Sequence, residues 1–552
     1  MIRRSRHGVY GISFGLILGL FLIAGLHSGP SQEPGKDRPT IDVLDYTFEI
    51  VLTDTSDHIS VRATIIYAPI TVEDTEDIWF NLVGGTLPHE GMVVHHVAHP
   101  SGIDRAFTHT SDTLRLAPDP SRWADRVQDT LLVSYSGIPK DGLIISQNRH
   151  GDRTFFGDQW PNRARHWLVS VDHPSDKATV TFGVTAPSHY QVIANGRQVA
   201  SVDRADGTRM TRYRSTKPLP MKVTVIGVAA FHVAHAGTVG HVPVTSWTYP
   251  QDAEIGLAAL AEGVAATAWF EARLGTFPYE KLANVQSTTR YGGMENAGAI
   301  FYFEGAFVEG RDNRSLIAHE IAHQWFGNSV TEADWSHLWL SEGFATFLAH
   351  EYMAHLEGEA FVRERRKQDR ERVTRFAGRL PGVPLVDARR VDPIEKLNTN
   401  AYQKGGWVLH MLRQVIGQDA FYEGLRAYQR NHAHGNATSR DLQHALSQAS
   451  AQDLTGFFNQ WVYQGGHPVI TTEIERRRRQ TSVVISETSG GSYDLRLDVD
   501  VVHADGSRST HVVTLTSGTP VRIPTAWLEG AVAIELDPAV RLLFEGPGRV
   551  EL

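Results

Sequence analysis

Short runs of alternating hydrophobic and polar residues fill the first part of the chain. Such runs recur between residues 40 and 239, for example at residues 46–52 and 61–67, and turn residues separate them. A period of two is typical of strands that bury one face. We therefore predict an antiparallel β domain over residues 40–245.

The period becomes helical in the middle of the chain and alternates again near its end. Helices are predicted at residues 257–274, 405–416, 421–431, 439–450 and 454–463, and the charged run 363–372 is interpreted as a solvated helix face. Alternation returns at residues 482–486, 495–499 and 512–515, which favours a small β-sandwich. The expected fold class is α+β multidomain, with a mainly helical domain over residues 246–467 and a C-terminal β-sandwich domain over residues 468–552.

The N-terminus has the layout of an export signal. Arg3, Arg4 and Arg6 precede an apolar run over residues 12–26, and a polar, proline-containing stretch follows. We expect residues 1–31 to direct export to a periplasmic or extracellular location. Because the run is short for a membrane span, a cleaved signal peptide is the first expectation and an uncleaved, membrane-anchoring segment is the alternative.

Composition narrows the chemistry that is open to the chain. Its 552 residues carry a net charge of -9, which gives no footprint for a polyanion, so nucleic acid is not an expected partner. The sequence contains no cysteine, which excludes disulfides, a catalytic thiol and thiolate metal ligands. Any metal must therefore be bound through nitrogen and oxygen.

The strongest chemical signal is His319-Glu320-Ile321-Ala322-His323, followed by Glu342. Positions four apart on a helix lie on one face, so His319 and His323 can share one ion through neutral imidazoles. Glu342 supplies a third ligand, and Glu320 is left free as a base. The pattern predicts a site for one zinc ion.

A helix is needed to carry this motif, and the flanking residues indicate one. Asn313 is expected to cap it and Gly327 to end it, with an apolar stripe between them. The alternative for the five-residue motif taken by itself is an ordinary helix with two surface histidines. His350-Glu351 with His355 looks similar, but its two rings point about 140° apart on a helix, so we interpret these side chains as solvated.

The chemistry that follows from the motif is amide hydrolysis. Zinc held by two imidazoles and one carboxylate keeps a position for water and lowers the pKa of that water. Glu320 can take the proton as the water attacks a carbonyl, and can return it to the leaving nitrogen. A further donor is needed for the oxyanion. No covalent intermediate is required.

A second signal lies upstream, in residues 291–298, and contains Gly292, Gly293, Met294, Glu295 and Asn296. Adjacent glycines allow an extended substrate to approach the backbone closely, and the carboxylate of Glu295 could hold a protonated amine. The alternative is a glycine-rich turn with a solvated glutamate.

Together these motifs resemble a known family. GGMEN at residues 292–296, the zinc motif with its distant Glu342, and the segment 401–406 (AYQKGG) are similar to those of the gluzincin zinc aminopeptidases, the alanyl aminopeptidase and leukotriene hydrolase superfamily. The resemblance implies a thermolysin-like zinc catalytic domain. It also implies that Glu295 and its neighbours bind the free N-terminus of a peptide substrate, so that the enzyme is an exopeptidase. By the same resemblance, Tyr402 donates its phenol hydrogen to the oxyanion.

The similarity extends from about residue 40 to 470. Residues 159–165, 172–179 and 193–196 resemble the family's N-terminal domain, which makes Gln159 the candidate for a second contact to the substrate amine. Residues 457–461 and 465–468 resemble the end of its catalytic domain.

The chain departs from the family pattern in two places. His337 stands where many members have an acidic residue, so another group is expected to orient a zinc ligand. Many relatives also continue into a large helical-repeat domain, which makes this chain look like a short form with a more open site.

Three functions are therefore weighed. The leading one is a zinc aminopeptidase acting on peptides. The alternatives are a zinc endopeptidase at the same site, with epoxide hydrolysis as a subsidiary activity known in one branch of the family, and a catalytically silent peptide-binding scaffold.

Overall fold

The alternating first part of the chain folds into three sheets. The computed structural model describes residues 39–71, 77–85, 91–118, 128–390, 392–477 and 480–552, so the predicted export segment, residues 1–31, lies outside the described residues. The strands are β1 (Ile41–Val51), β2 (Ile59–Pro69), β3 (Trp79–Asn81), β4 (Gly91–Ala98), β5 (Phe107–Thr110), β6 (Thr113–Leu116), β7 (Asp129–Ile138), β8 (Leu143–Gln147), β9 (Arg153–Gly157), β10 (Thr179–Pro187), β11 (Gln191–Ala194), β12 (Arg197–Asp203), β13 (Thr208–Arg214) and β14 (Ile226–Ala229).

The largest sheet is mixed, and this corrects the prediction of a purely antiparallel domain. Its strand order is β12-β13-β10-β1-β2-β7-β4, and β1 runs parallel to β10 with Phe48 opposite Phe182. The other neighbouring pairs of this sheet are antiparallel. Hydrophobic alternation reveals which face of a strand is buried but not the direction of its neighbour, which is why the sequence did not indicate the parallel pair. Two smaller antiparallel sheets have the orders β11-β14-β9-β8 and β3-β6-β5.

A further sheet links the first part of the chain to the helical part, and only its first strand lies fully within the alternating range predicted from the sequence. It contains β15 (His232–Val239), β16 (Val242–Thr248), β17 (Leu282–Ser287), β18 (Gly293–Met294) and β19 (Ala299–Phe303). Their order is β15-β16-β17-β19-β18, with β16, β17 and β19 parallel. Every residue of β17 is buried, as is common in parallel sheets, so no alternation marks it. The domain boundary predicted after residue 245 falls inside β16.

Ten α-helices follow within the described residues. They are α1 (Ala253–Leu260), α2 (Glu262–Leu274), α3 (Arg314–Ala322), α4 (Trp339–Glu357), α5 (Glu359–Arg379), α6 (Pro393–Lys396), α7 (Gly405–Ile416), α8 (Gln418–His432), α9 (Ser439–Ser450) and α10 (Thr455–Phe458), together with π-helical turns at Asn400–Lys404 and Asn459–Tyr463. Two short strands, β20 (Thr331–Glu332) and β21 (Asn436–Ala437), interrupt the run of helices and pair with each other in parallel. The helices predicted at 405–416 and 439–450 coincide with α7 and α9, whereas the one predicted at 257–274 is two helices.

The stretch Pro250–Leu274 is, among the described residues, the one helical segment long and apolar enough to cross a membrane by length and composition. It contains α1 and α2, which contact β16, β15 and α3. Only one face of α1 and α2 is buried, as in an amphipathic helix that packs on a globular domain.

Two of the expected solvated side chains are buried instead. Arg366 and Asp369, from the charged run on α5, are 3% and 6% exposed. Arg366 donates to Glu359 over 2.7 Å, and Asp369 lies 3.5 Å from His350 Nε2. His350 is therefore not solvated as predicted, and Glu351 is paired with Arg413. Charge pairing explains how this face of α5 can pack against α4.

The last part of the chain forms two further antiparallel sheets. Their strands are β22 (Ile470–Arg477), β23 (Gln480–Glu487), β24 (Asp494–His503), β25 (Arg508–Thr516), β26 (Val521–Arg522), β27 (Ala531–Leu536) and β28 (Arg549–Glu551). The sheet orders are β22-β23-β26 and β25-β24-β27-β28.

Arg370 of α5 fastens this last part to the helices. Its guanidinium is paired with Asp537, donates to the carbonyl of Leu542 over 2.6 Å, and lies over the rings of Trp407 and Phe544. A single cation thus contacts α7 and two segments of the C-terminal region.

Candidate active site

The two histidines of the zinc motif lie at the C-terminal end of α3. His319 is in the last turn, and His323 is the first residue after the helix. The backbone N–H of His323 still bonds to the carbonyl of His319 over 3.3 Å, so the helical path continues. The two Nε2 atoms are consequently 3.2 Å apart.

The boundaries of this helix differ in part from the prediction. Asn313 occupies the N-cap position, but its amide donates to the carbonyl of Ala306 and makes no cap hydrogen bond. The helix ends at Ala322, before Gly327. Gly327 has a φ of 111°, and a Cβ there would lie 2.2 Å from Ser341 Oγ. Glycine is thus needed here for two reasons: α4 lies too close for a side chain, and the backbone has a positive φ.

Glu342 reaches the histidines from the first turn of α4. One of its carboxylate oxygens, Oε2, lies 3.4 Å from Nε2 of His319 and 3.4 Å from Nε2 of His323. Together with the 3.2 Å between the two nitrogens, these distances form a nearly equilateral triangle. Tetrahedral zinc with ligand bonds of about 2.0–2.2 Å requires ligand atoms roughly 3.3–3.6 Å apart. The three residues therefore fit one zinc ion.

The electrostatics of the pocket also favour a cation. Burial opposes ionisation of Glu342, but the imidazoles of His323 and His319 hold its pKa well below the usual range, so it is a carboxylate. Burial alone lowers the pKa of His323, yet the carboxylates of Glu295 and Glu342 outweigh it and raise that pKa to about 9. The carboxylates around His323 thus favour positive charge at this position, which a bound dication would supply.

The orientation of His323 is fixed without an acidic residue at position 337. Nδ1 of His323 lies 3.2 Å from the carbonyl oxygen of Phe326 and 3.1 Å from Ser341 Oγ. His337 contacts Ser439 instead, over 2.9 Å. A backbone carbonyl that accepts from Nδ1–H leaves Nε2 as the free ligand atom. The group expected to replace the missing carboxylate is therefore the Phe326 carbonyl, assisted by Ser341.

Glu320 is buried beside the glycine-rich segment. It is 5% exposed, and a Cβ built on Gly293 would lie 2.3 Å from its Oε1. Burial raises the pKa of Glu320 well above its usual range, and the carboxylates of Glu295 and Glu342 add to this effect. A carboxylate with a raised pKa is suited to accept and return a proton.

Tyr402 lies beside His319, on the π-helical turn that precedes α7. Its ring lies nearly parallel to that of His319, with centroids 6.1 Å apart. Burial and the nearby Glu342 and Glu295 raise the pKa of the phenol well above its usual value. The hydroxyl therefore remains a hydrogen-bond donor.

A glycine contact brings this turn close to the metal ligands. Helices α4 and α7 cross where Gly343 meets Gly405, and a Cβ on Gly343 would lie 2.8 Å from the Gly405 Cα. Glu342 precedes one of these glycines, and Tyr402 lies one turn before the other. The crossing thus sets the distance between a metal ligand and the phenol.

Glu295 follows β18, at the edge of the five-stranded sheet. It is 5% exposed, and its backbone carbonyl accepts from Gln324 Nε2 over 3.0 Å and from Asn328 Nδ2 over 2.6 Å. Among the described residues, no donor is hydrogen-bonded to its buried Oε1. Ligand atoms of Glu295, Glu320 and His323 lie within 4.8 Å of one another. A carboxylate oxygen is thus available to a ligand directly beside the metal residues.

Comparison with known sequences agrees with these motifs. Residues 45–221 match the family profile described as the peptidase M1 N-terminal domain, and residues 259–461 match the peptidase family M1 domain. The chain belongs to the M1 peptidase family. The second match contains the metal residues, Glu320, Glu295 and Tyr402.

Several curated proteins are similar to the chain. Probable aminopeptidase 2 of Sulfurisphaera tokodaii is 27% identical over 330 residues, which are 56% of this chain and 41% of that protein. Tricorn protease-interacting factor F2 of Thermoplasma volcanium is 28% identical over 394 residues, 66% of this chain and 47% of that protein. Aminopeptidase N of Lactococcus lactis is 35% identical over 207 residues, 33% and 23% respectively. The chain therefore spans less than half the length of each of these relatives.

Gln159 lies in the interior of the first part of the chain. It is fully buried, its Nε2 donates to the carbonyl of Thr224 over 2.8 Å, and its Oε1 accepts from Trp167 Nε1 over 2.9 Å. Both ends of the carboxamide are thus engaged within the first part of the chain. A contact from Gln159 to the substrate amine of this M1 peptidase stays a prediction.

The predicted site residues do not include Gln324, Asn328 and Ser341, which support Glu295 and His323. Gln324 directly follows the zinc motif and Ser341 directly precedes Glu342, and this adjacency is a signal that could have drawn attention to them. Asn328 has no comparable signal, because its hydrogen bond is made to a backbone carbonyl distant in sequence.

Proposed function

We propose that this M1-family chain is a zinc-dependent aminopeptidase that removes N-terminal residues from peptides. The observation that carries the proposal is the proximity of two groups of residues. His319, His323 and Glu342 offer a triangle of zinc ligands, and Glu295 and Glu320 lie within 4.8 Å of the second histidine.

The residues divide the reaction between them. His319, His323 and Glu342 would hold the zinc ion, which when bound would supply Lewis acidity and activate a water molecule. Glu320 accepts the proton of the attacking water and returns it to the leaving nitrogen. Tyr402 donates its hydroxyl hydrogen to the oxyanion that develops on the scissile carbonyl.

Glu295 is what makes the proposed enzyme an exopeptidase. In any peptide the α-amine nitrogen and the first carbonyl carbon are only about 2.5 Å apart, because two bonds of about 1.5 Å join them at roughly 111°. An ammonium that contacts the free Oε1 of Glu295 therefore places the first carbonyl beside Glu320 and His323. One further N-terminal residue would move the scissile carbonyl about 3.3–3.6 Å away from Glu320 and His323.

The test is hydrolysis of a panel of aminoacyl reporter amides, free and N-acetylated, with and without a chelator. We expect the free substrates to be cut, the acetylated ones to be spared, and the chelator to abolish activity until zinc is restored. Equal cleavage of acetylated peptides would establish the endopeptidase alternative instead. A zinc-loaded protein that binds peptides without cutting them would establish the scaffold.

Two finer points belong to the same proposal. We propose that the chain is exported, because three arginines and an apolar run precede residue 31. N-terminal sequencing of the protein recovered from an expressing cell distinguishes a cleaved signal from a membrane anchor.

We also propose that the two sheets of residues 470–551 form a β-sandwich, a packing favoured by their alternating buried positions.

A further inference from the structure

Two lysines from the first part of the chain contact residues 328–332, a segment that is hydrogen-bonded to Glu295. Lys177 is half-buried as a residue, and its ammonium donates to three backbone carbonyls: Asn328 over 3.1 Å, Ser329 over 2.9 Å and Gly435 over 2.9 Å. An ammonium has three N–H donors, so each of them is used. The loop over residues 328–329 is thereby tied to the segment that precedes β10.

Lys222 makes the second connection. Its Nζ lies 2.5 Å from Glu332 Oε1, and both side chains are at most 1% exposed. Glu332 belongs to β20, directly after the loop that Lys177 holds. The Lys222 ammonium also lies 5.6 Å from the ring centroid of Trp335. A buried pair of this kind holds its two segments together, because separating it leaves an uncompensated charge.

The segments that contain or bind these lysines are hydrogen-bonded to the backbone around Glu295. On one side, Asn328 donates its amide hydrogen to the Glu295 carbonyl over 2.6 Å. On the other side, the N–H of Ala297 donates to the carbonyl of Val223, the residue after Lys222, over 3.1 Å. Asn195 adds a hydrogen bond to the Ala297 carbonyl over 2.9 Å. The segment 295–297 is thus clamped between the loop and the first part of the chain.

The carboxylate of Glu295 needs this clamp. No donor among the described residues is hydrogen-bonded to its buried Oε1, so no local partner fixes its direction. Its position is therefore only as well defined as that of its backbone.

We propose that Lys177 and Lys222 are positioning residues for Glu295, and that the N-terminal part of the chain thereby builds part of the amine-recognition site. The inference rests on the proposed aminopeptidase function. Neither lysine touches the substrate; both act through the backbone of residues 295–297.

The test compares two inhibitors of the zinc-loaded enzyme. Alanine hydroxamate and acetohydroxamate both bind a metal, but only the first carries an α-amine. The Ki of acetohydroxamate divided by the Ki of alanine hydroxamate therefore reports amine recognition separately from metal binding. In Lys177→Met and Lys222→Met we expect this ratio to fall about tenfold or more, the scale of a displacement below 1 Å. The Ki of acetohydroxamate should stay within about twofold, because the metal residues keep their own contacts.

Lys396→Met is the matched control. Lys396 is also a buried lysine, and its Nζ donates to the backbone carbonyl of Asp387 over 2.6 Å. Within the described part of the chain, its Nζ has no hydrogen bond to residues 295–297 or 328–332. Its Ki ratio should equal that of the wild type, and a fall of the same size there would show that loss of any buried lysine suffices.

A double variant keeps the test decisive if a single one does not fold. Lys222→Met with Glu332→Leu removes both charges, so no buried charge is left unpaired. We expect the same fall in the Ki ratio, and a ratio like that of the wild type would overturn the inference. A wild type that cuts no aminoacyl amide would overturn the proposed function as well. An active wild type whose folded variants discriminate equally well would overturn this inference alone.

Discussion

The contact between Gly343 and Gly405 gives the sharpest prediction, the effect of Gly343→Ala. A Cβ at position 343 would lie 2.8 Å from the Gly405 Cα and 3.2 Å from the Ala401 carbonyl oxygen. Carbon atoms pack at about 3.5–4.0 Å, so the 2.8 Å contact requires α4 and α7 to separate by roughly 0.7–1.2 Å. Since the obstructing atoms are backbone, no side-chain rotation relieves the overlap.

The separation should affect catalysis more than stability. A displacement near 1 Å between catalytic groups lowers the rate about 100-fold, and Glu342 and Tyr402 lie on opposite sides of this contact. Overpacking costs about 1–3 kcal/mol, which the better helix propensity of alanine offsets by about 1 kcal/mol. We therefore expect a folded protein that is destabilised by at most about 2 kcal/mol, with kcat reduced about 100-fold.

The assay is kcat on a free aminoacyl amide, with zinc content and thermal unfolding measured on the same sample. Gly378→Ala is the control, because Gly378 also lies in a helix, on α5, and a Cβ there meets nothing within 4 Å. That variant should keep full activity and gain about 0.5–1 kcal/mol. Wild-type kcat in Gly343→Ala would refute the idea that the glycine contact sets the geometry of the site.

Three further predictions concern single side chains. Glu320→Gln should keep its zinc but lose about 10²–10⁴ in kcat, because the base is lost while the ligands remain; undiminished turnover would remove Glu320 from this role. Tyr402→Phe should lower kcat by about 10²–10³ with little change in KM, and an effect confined to KM would argue against oxyanion stabilisation. Ser341→Ala should weaken zinc binding about tenfold in a chelator titration, with kcat kept at saturating zinc; unchanged zinc affinity would mean that the Phe326 carbonyl alone orients His323.

The sequence was most informative where function depends on local spacing. His319 and His323 are one helical turn apart, so helix geometry alone brings their rings together. Glu342 lies in the first turn of the next helix, a short distance along the sequence. Tyr402 comes to this group only through the crossing of α4 and α7, which no spacing reveals, and only the resemblance to a family pointed to it.

The fold was less readable where direction and partners matter. The parallel strands β17 and β19 are buried on both faces and therefore lack the alternation by which strands are recognised. Arg366 and His350 were interpreted as solvated because charge and polarity usually mark a surface. Their partners, Glu359 and Asp369, lie on another turn or another helix, and a pairing of that kind leaves no local pattern.

The fastening by Arg370 has a practical consequence for anyone who wishes to trim the protein. Cutting the chain after residue 467 would remove Asp537, the Leu542 carbonyl and Phe544, and would leave the guanidinium facing Trp407 without its counter-charge. Such a fragment should aggregate before its chemistry could be measured, because the cut also removes Leu543 and uncovers buried apolar side chains such as Met411, which the Leu543 backbone contacts. A smaller catalyst is better sought by shortening surface loops than by discarding the final two sheets.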